Sequence, residues 1–295
     1  MTPARFRHFV AIDWSGAAGE RHAGIAVALC SPGNDAPTLL RPDQRWSRSE
    51  VLDWLREDLP PDTLVGFDMG ISLAFADAGA FFPGWTETPA DARSLWALID
   101  RLSEGDPHLA ASSFVDHPEA SRHFRRHGSR EGEFFGANGQ PGGRGRFRVT
   151  ELAQQAIGCQ PTSNFNLVGA GQVGKSSLTG MRLLHRLAGH LPVWPIDPLP
   201  QAGSVVTEIY TTLAAMAAGR SAGRSKMRDY ADLNAGLAQL GSAPVRGCGP
   251  ITDHASDALL TAAWLRTAAH NPQLWSPAAM TPIIAATEGW TFGVP

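Results

Sequence analysis

The first seventy residues alternate between short apolar runs and polar turns. His8 to Asp13 is an apolar strand that ends in an acid and a turn, Trp14, Ser15 and Gly16. Gly24 to Cys30 is a second apolar run and Thr38 to Trp46 a weaker third, with Gly and Pro in the gaps as hairpins require. Ser47, Arg48, Ser49 and Glu50 then form a capping box, in which serine and glutamate satisfy backbone donors at a helix start. Val51, Trp54 and Leu55 fall on one face of that helix. Thr63 to Asp68 is a further apolar strand, again ending in an acid, with Gly70 close behind. The predicted order is strand, strand, strand, helix, strand.

Further along, Asp91 to Leu102 reads as a helix with Leu95, Leu98, Ile99 and Leu102 on one side. Residues 128 to 148 are rich in glycine and arginine and read as a long mobile loop. The Pro-rich stretch Leu191 to Pro200 precedes a strand from Ser204 to Tyr210. Asp229 caps a helix that Gly241 stops, and Thr252 caps a last helix from Asp253 to about Ala269. With no internal repeat and no low-complexity linker, the expected organisation is one α/β domain over residues 1–295, with a loop-rich insertion at about 84–165.

At 43% hydrophobic and 18% charged residues, the chain is expected to fold rather than stay disordered. A formal net charge of −3 advertises no polyanionic partner globally, but the charge is uneven. Seven arginines lie between Arg122 and Arg148 against two acids, Glu131 and Glu133, and Arg220, Arg224, Lys226 and Arg228 form a second basic run. Such runs can track phosphates, which makes nucleic acid a candidate partner; their plainer role is a solvated loop. Cys30, Cys159 and Cys248 are too few and too dispersed for a disulfide framework or a zinc site. The apolar run Phe9 to Ile12 is too short for a signal peptide, and no stretch approaches the roughly 20 residues of a membrane span. A cytoplasmic protein with no membrane association is expected.

Two strands ending in aspartate direct attention to chemistry. Open α/β sheets bind ligands at the carboxyl edge of their strands, where Asp13 and Asp68 are predicted to stand. The last helix adds Asp253 and Asp257, four residues apart and so on one face, within the turns that the helix dipole makes favourable to anions. Glu208 falls near the end of another strand. Carboxylates gathered at one edge repel one another unless a cation lies between them, and magnesium or manganese suits such hard oxygen donors. Two such ions can activate water and stabilise the leaving oxygen of a phosphodiester. The candidate metal ligands are Asp13, Asp68, Asp257 and Asp253, with Glu208 as an additional or supporting carboxylate. The plainer alternatives are turn-capping for Asp13 and Asp68, helix-start placement for Asp253, and solvent exposure for Glu208.

Gly169 to Ser176 matches the phosphate-loop pattern G-x-x-x-x-G-K-[ST] in full. Against a nucleotide hydrolase stand a preceding strand of only about four residues, the absence of a later four-residue apolar run ending in Asp, and the position of the motif after two acid-tipped strands. Gly174, Lys175 and Ser176 remain candidates for holding a substrate phosphate, and Lys175 is one of only two lysines in the chain. His254 beside Asp253 is a candidate proton shuttle, and His117 a second histidine of interest. A surface or hydrogen-bonded histidine is the plainer alternative for both.

Taken together, Ala11 to Gly16, Gly66 to Asp68, Gly169 to Met181, Glu208 to Tyr210, Asp253 to Leu259 and Glu288 to Gly293 resemble domain-of-unknown-function family 429. The resemblance covers nearly the whole chain. It implies a ribonuclease H-like three-layer fold, with a mixed five-stranded sheet of three antiparallel then parallel strands flanked by helices. It also implies a metal-dependent nuclease using magnesium or manganese. The chain departs from ribonuclease H proper in the first helix, where Glu50 serves the cap and Glu57 would have to stand in for the expected carboxylate. Its acids on the last helix are closer to resolvase-type members. Two rivals share this core: an actin- or sugar-kinase-type ATPase or phosphotransferase, and a non-catalytic module that binds nucleic acid or protein.

Overall fold

Alternation along each strand sends successive side chains into different cores. In β1 (His8–Asp13), Val10 and Ile12 join one buried apolar cluster while Phe9 and Ala11 join another on the opposite face. Both faces of the sheet are therefore covered, and the strands read as nearly continuous apolar runs. The structure, a computed structural model, describes residues 5–128, 130–169 and 172–295.

The main sheet holds β1, β2 (Ala26–Cys30), β3 (Thr38–Leu40), β4 (Thr63–Asp68), β5 (Val193–Trp194) and β6 (Val205–Glu208), in the order β3-β2-β1-β4-β6-β5. The first three are antiparallel; β4 pairs parallel with β1, β6 parallel with β4, and β5 parallel with β6. The sheet thus has six strands where five were expected. The additional strand is an edge strand that ends as Pro195 begins, the position a proline without a backbone donor tolerates. The third strand is shorter than its apolar run. Arg41 turns into the left-handed region (φ 51°) ahead of Pro42, and Trp46–Ser47 pairs with Arg21–His22 instead.

Nine α-helices lie among the described residues. They are α1 (Arg48–Glu57), α2 (Ala92–Leu102), α3 (Ser112–Asp116), α4 (Val149–Ala156), α5 (Val173–Leu187), α6 (Thr211–Ala217), α7 (Tyr230–Gln239), α8 (Asp253–Ala268) and α9 (Pro282–Thr287). Residues of α1, α2 and α5 share the cluster of Val10 and Ile12, whereas α6, α7 and α8 share that of Phe9 and Ala11. Helix α8 crosses β1 and β2, which brings its first turns to the carboxyl edge of the sheet. Ser47 and Glu50 complete the capping box of α1, and Thr252 caps α8 through the amide of Ala255.

In the arginine-rich segment, expected to be a long mobile loop, two arginines near its end are anchored in the protein. Arg146 and Arg148 are among the largest fully buried side chains. Arg146 reaches Asp77 and the carbonyl oxygens of Ala80 and Phe81. Among the described residues, no helix is long and apolar enough to cross a membrane.

Candidate functional site

Parallel pairing of β1 and β4 sets Asp13 directly opposite Asp68, so both carboxylates leave the sheet at the same edge on neighbouring strands. Helix α8 supplies the third acid. Asp257 lies one turn into the helix, 7% exposed like Asp13. His254, one turn earlier, sets Nδ1 3.2 Å from Asp13 Oδ2. That contact raises the His254 pKa against the opposing effect of burial. Asp68 accepts from Thr211, whose amide and hydroxyl lie 3.4 and 3.3 Å away.

The acids disturb one another as their closeness requires. Burial, then the charges of Asp13 and Asp257, push the Asp68 pKa up to about 8. Burial likewise lifts Asp257 to about 6, against the lowering by Lys226 and with further lifting by Asp13 and Asp253. Asp253 itself stands at the rim, with side-chain exposure of 38% and Arg228 Nε at 3.7 Å.

Lys226 was read only as part of a basic run, and the structure gives it a distinct place. Its ammonium donates to Asp257 Oδ2. Burial pulls its pKa down, but Asp257, with Asp13 and Asp68 beyond it, more than offsets that, and the net shift is upward. The sequence did hold one signal: Lys226 is the other of the chain's two lysines.

Glu208, expected as an additional or supporting carboxylate, lines the same cleft as Asp68 and is held there by other partners. Arg148 donates to both of its oxygens, at 2.8 and 2.6 Å, and the Ile71 amide and Thr291 hydroxyl also donate to it. Arg148 also binds Glu151, which burial raises to about 7. Glu288 caps three backbone amides, those of Phe75, Ala76 and Val149. These acids hold the C-terminal segment against the sheet.

A cleft of about 680 Å³ runs beside the acids, lined by Asp68, His254, Trp14, Gly16, Lys175 and Arg148 among others. Asp13 and Asp257 do not line it. Its wall near Gly16 is tight: a Cβ there would stand 2.3 Å from the Lys175 carbonyl carbon and the Ser176 nitrogen. The turn after Asp13 thus packs against the start of α5. A similar approach occurs at Gly70, where a Cβ would meet the Asn164 amide nitrogen at 2.2 Å.

The phosphate-loop pattern lies partly outside the described residues, at Ala170 and Gly171. Of the rest, the Gly174 amide donates to Asn166 O at 3.1 Å and the Lys175 amide to Gln172 O at 3.3 Å. The Ser176 hydroxyl donates to Val173 O at 2.7 Å. These donors serve their own chain rather than an incoming phosphate. Lys175 Nζ, however, reaches no carboxylate among the described residues and lies 3.1 Å from His127 Nε2. His117 is held away from the acids, stacked on Trp85 with ring centroids 5.0 Å apart.

Five of the seven arginines between Arg122 and Arg148 pair with carboxylates: Arg122, Arg125, Arg126, Arg146 and Arg148. Most of the partners, such as Asp77, Asp116, Glu119 and Glu208, lie outside the glycine-rich stretch. The basic run is therefore largely spent within the protein. Comparison with protein families, curated proteins and solved structures found no match.

Proposed function

We propose that the chain is a metal-dependent phosphodiesterase of the ribonuclease H-like type, acting on nucleic acid. The observation that carries this reading is the meeting of Asp13, Asp68 and Asp257, from two adjacent strands and the crossing helix, beside an open cleft. The strand order, three antiparallel then parallel, supports the ribonuclease H-like assignment.

A divalent cation fits these residues in donor chemistry and charge. All three donors are hard oxygens, and Asp68, raised first by burial and then by the charges of Asp13 and Asp257, is lowered only in part by Lys226. The three acids lie near enough to act on one another's charge, yet among the described residues no three His, Cys, Asp or Glu side chains stand at metal-holding distance, so the fit is one of chemistry and not of spacing. Asp13 and Asp68 would hold the ion, with Asp257 completing the set once Lys226 gives way. The ion would supply Lewis-acid stabilisation of charge on the phosphoryl oxygens.

The chain's own groups have separate tasks. His254, with Nδ1 against Asp13, takes up its second proton more readily than a free imidazole and can give one from Nε2 to a departing oxygen. Lys175 at the cleft wall binds substrate phosphate as a point charge. The ATPase or phosphotransferase reading has less support, because the Gly174 and Lys175 amides are turned to Asn166 and Gln172. A non-catalytic module is the second reading, favoured by one contact: Lys226 already neutralises Asp257.

The test is manganese calorimetry with cleavage assays on DNA and RNA, for the native chain and for Asp13→Asn and Asp68→Asn. Binding and cleavage that both fall to background in folded variants are expected. A native chain that binds no manganese and cleaves nothing would leave the binding module standing.

A further inference from the structure

A second pocket of about 250 Å³ adjoins the cleft, and Gly16, Ala17 and Lys175 line both. Its walls are mostly apolar, formed by Ala18, Ala111, Val115, Leu167 and Leu178. Its rim carries three cations, Arg126, Arg130 and Lys175, with His127 beside them. The one acid that lines it, Asp116, is engaged by Arg126 at 3.1 Å, and Arg126 Nε is buried without a hydrogen-bond partner. Arg48 braces the wall shared with the cleft. It is 1% exposed and donates to the carbonyl oxygens of Ser15 and Ala17 and, across the pocket, of His108.

Two kinds of chemistry thus meet at Lys175. The ammonium, with His127 3.1 Å away, offers charge to a phosphate without a competing carboxylate. The adjoining apolar space offers a dry surface to a flat, weakly polar group. A nucleotide joins those two chemistries in one molecule: its base can bury a flat face against the aliphatic wall and lie against a guanidinium. At about 250 Å³ the pocket is on the scale of a single ring system.

We propose that this pocket is the subsite for the base of one unpaired nucleotide whose phosphate lies on Lys175, beside the acids. The inference rests on the nucleic-acid reading above for its choice of ligand, and it narrows the substrate. A duplex must present an extruded or unpaired nucleotide, so single strands, ends or flipped bases are what the site accepts.

The experiment is calorimetry at fixed salt on the full chain, with adenosine 5′-monophosphate and ribose 5-phosphate as probes. Adenosine 5′-monophosphate is expected to bind about tenfold more tightly, the scale of one stacked base. Ala18→Trp, at an exposed position on the pocket wall, should bring it down to the ribose 5-phosphate level while leaving ribose 5-phosphate unchanged. Ser112→Trp repeats that test from the other wall, and Lys175→Met should weaken both probes. Equal binding of the two probes by the native chain overturns the proposal. So does an advantage for the nucleotide that survives both tryptophan substitutions. Asp68→Asn separates this inference from the function itself, because it should lose cleavage and keep the nucleotide preference. A native chain that shows the preference yet cleaves no nucleic acid would refute the hydrolase and leave the subsite.

Discussion

Asp68 carries its information in a pKa displaced against the usual direction for a paired carboxylate. Its folded value, about 8, lies above the ordinary 3.8. The folded chain therefore holds a proton that the unfolded chain has released over that interval. By linkage, stability falls as pH rises from about 4 through about 8. Without divalent cation, the urea midpoint of the native chain is expected to decline over this window, and Asp68→Asn should flatten the decline. Equal slopes in the two proteins would show that Asp68 ionises freely in the fold. The identity of Asp68 and its place at a strand end were legible in the sequence. Asp13 and Asp257 were legible as its companions too, from a second acid-tipped strand and a helix start, whereas Lys226 was not, because helix packing alone brings it to the acids.

At the scale of elements, the turn between β1 and the rest of the chain decides how the acids meet the cleft. Gly16 is read from sequence as a turn residue, and the structure adds the reason that only hydrogen fits there. A Cβ would stand 2.3 Å from the backbone of Lys175 and Ser176, and backbone cannot swing aside as a side chain can. Gly16→Ala must part the Asp13 turn from α5. We expect a loss of about 1–3 kcal/mol in urea unfolding, together with weaker phosphate binding as Lys175 moves. An unchanged midpoint would mean that the turn is loose. Helix α5 itself begins inside the phosphate-loop pattern, and its first amides are spent on Gln172 and Asn166. The pattern of residue types was therefore visible, while the direction of its donors depended on a loop folding back from Asn166. The capping box at Ser47 and Glu50 presents the opposite case. Its hydrogen bonds close within four residues, so the local sequence contained all of it.

Across the whole molecule, the buried arginine Arg148 joins parts of the chain that local patterns never connect. It binds Glu151 at the start of α4 and Glu208 at the end of β6, and donates to the Glu288 carbonyl oxygen at 3.0 Å. Glu208 in turn holds Thr291, so the C-terminal segment hangs on this network. Burial lowers the Arg148 pKa and the two glutamates raise it further, leaving the guanidinium firmly charged. Arg148→Met would strand two buried carboxylates, at a cost of about 3–5 kcal/mol. Urea unfolding should show that loss, with amide exchange rising first in residues 288–294. A cost below about 1 kcal/mol would show that the glutamates find water or protons instead.

The sequence by itself determined what depends on neighbours a few residues apart: the apolar strands, the acids at their ends, and the caps of α1 and α8. Tertiary structure alone decided which charges meet. Glu208 went to Arg148 rather than to the acids, Lys226 left its basic run for Asp257, and most of the arginine-rich segment was neutralised by acids lying outside it. The physical reason is range. Backbone hydrogen bonds and periodic burial are set by local spacing, whereas a buried charge must find its partner wherever the packed chain brings one.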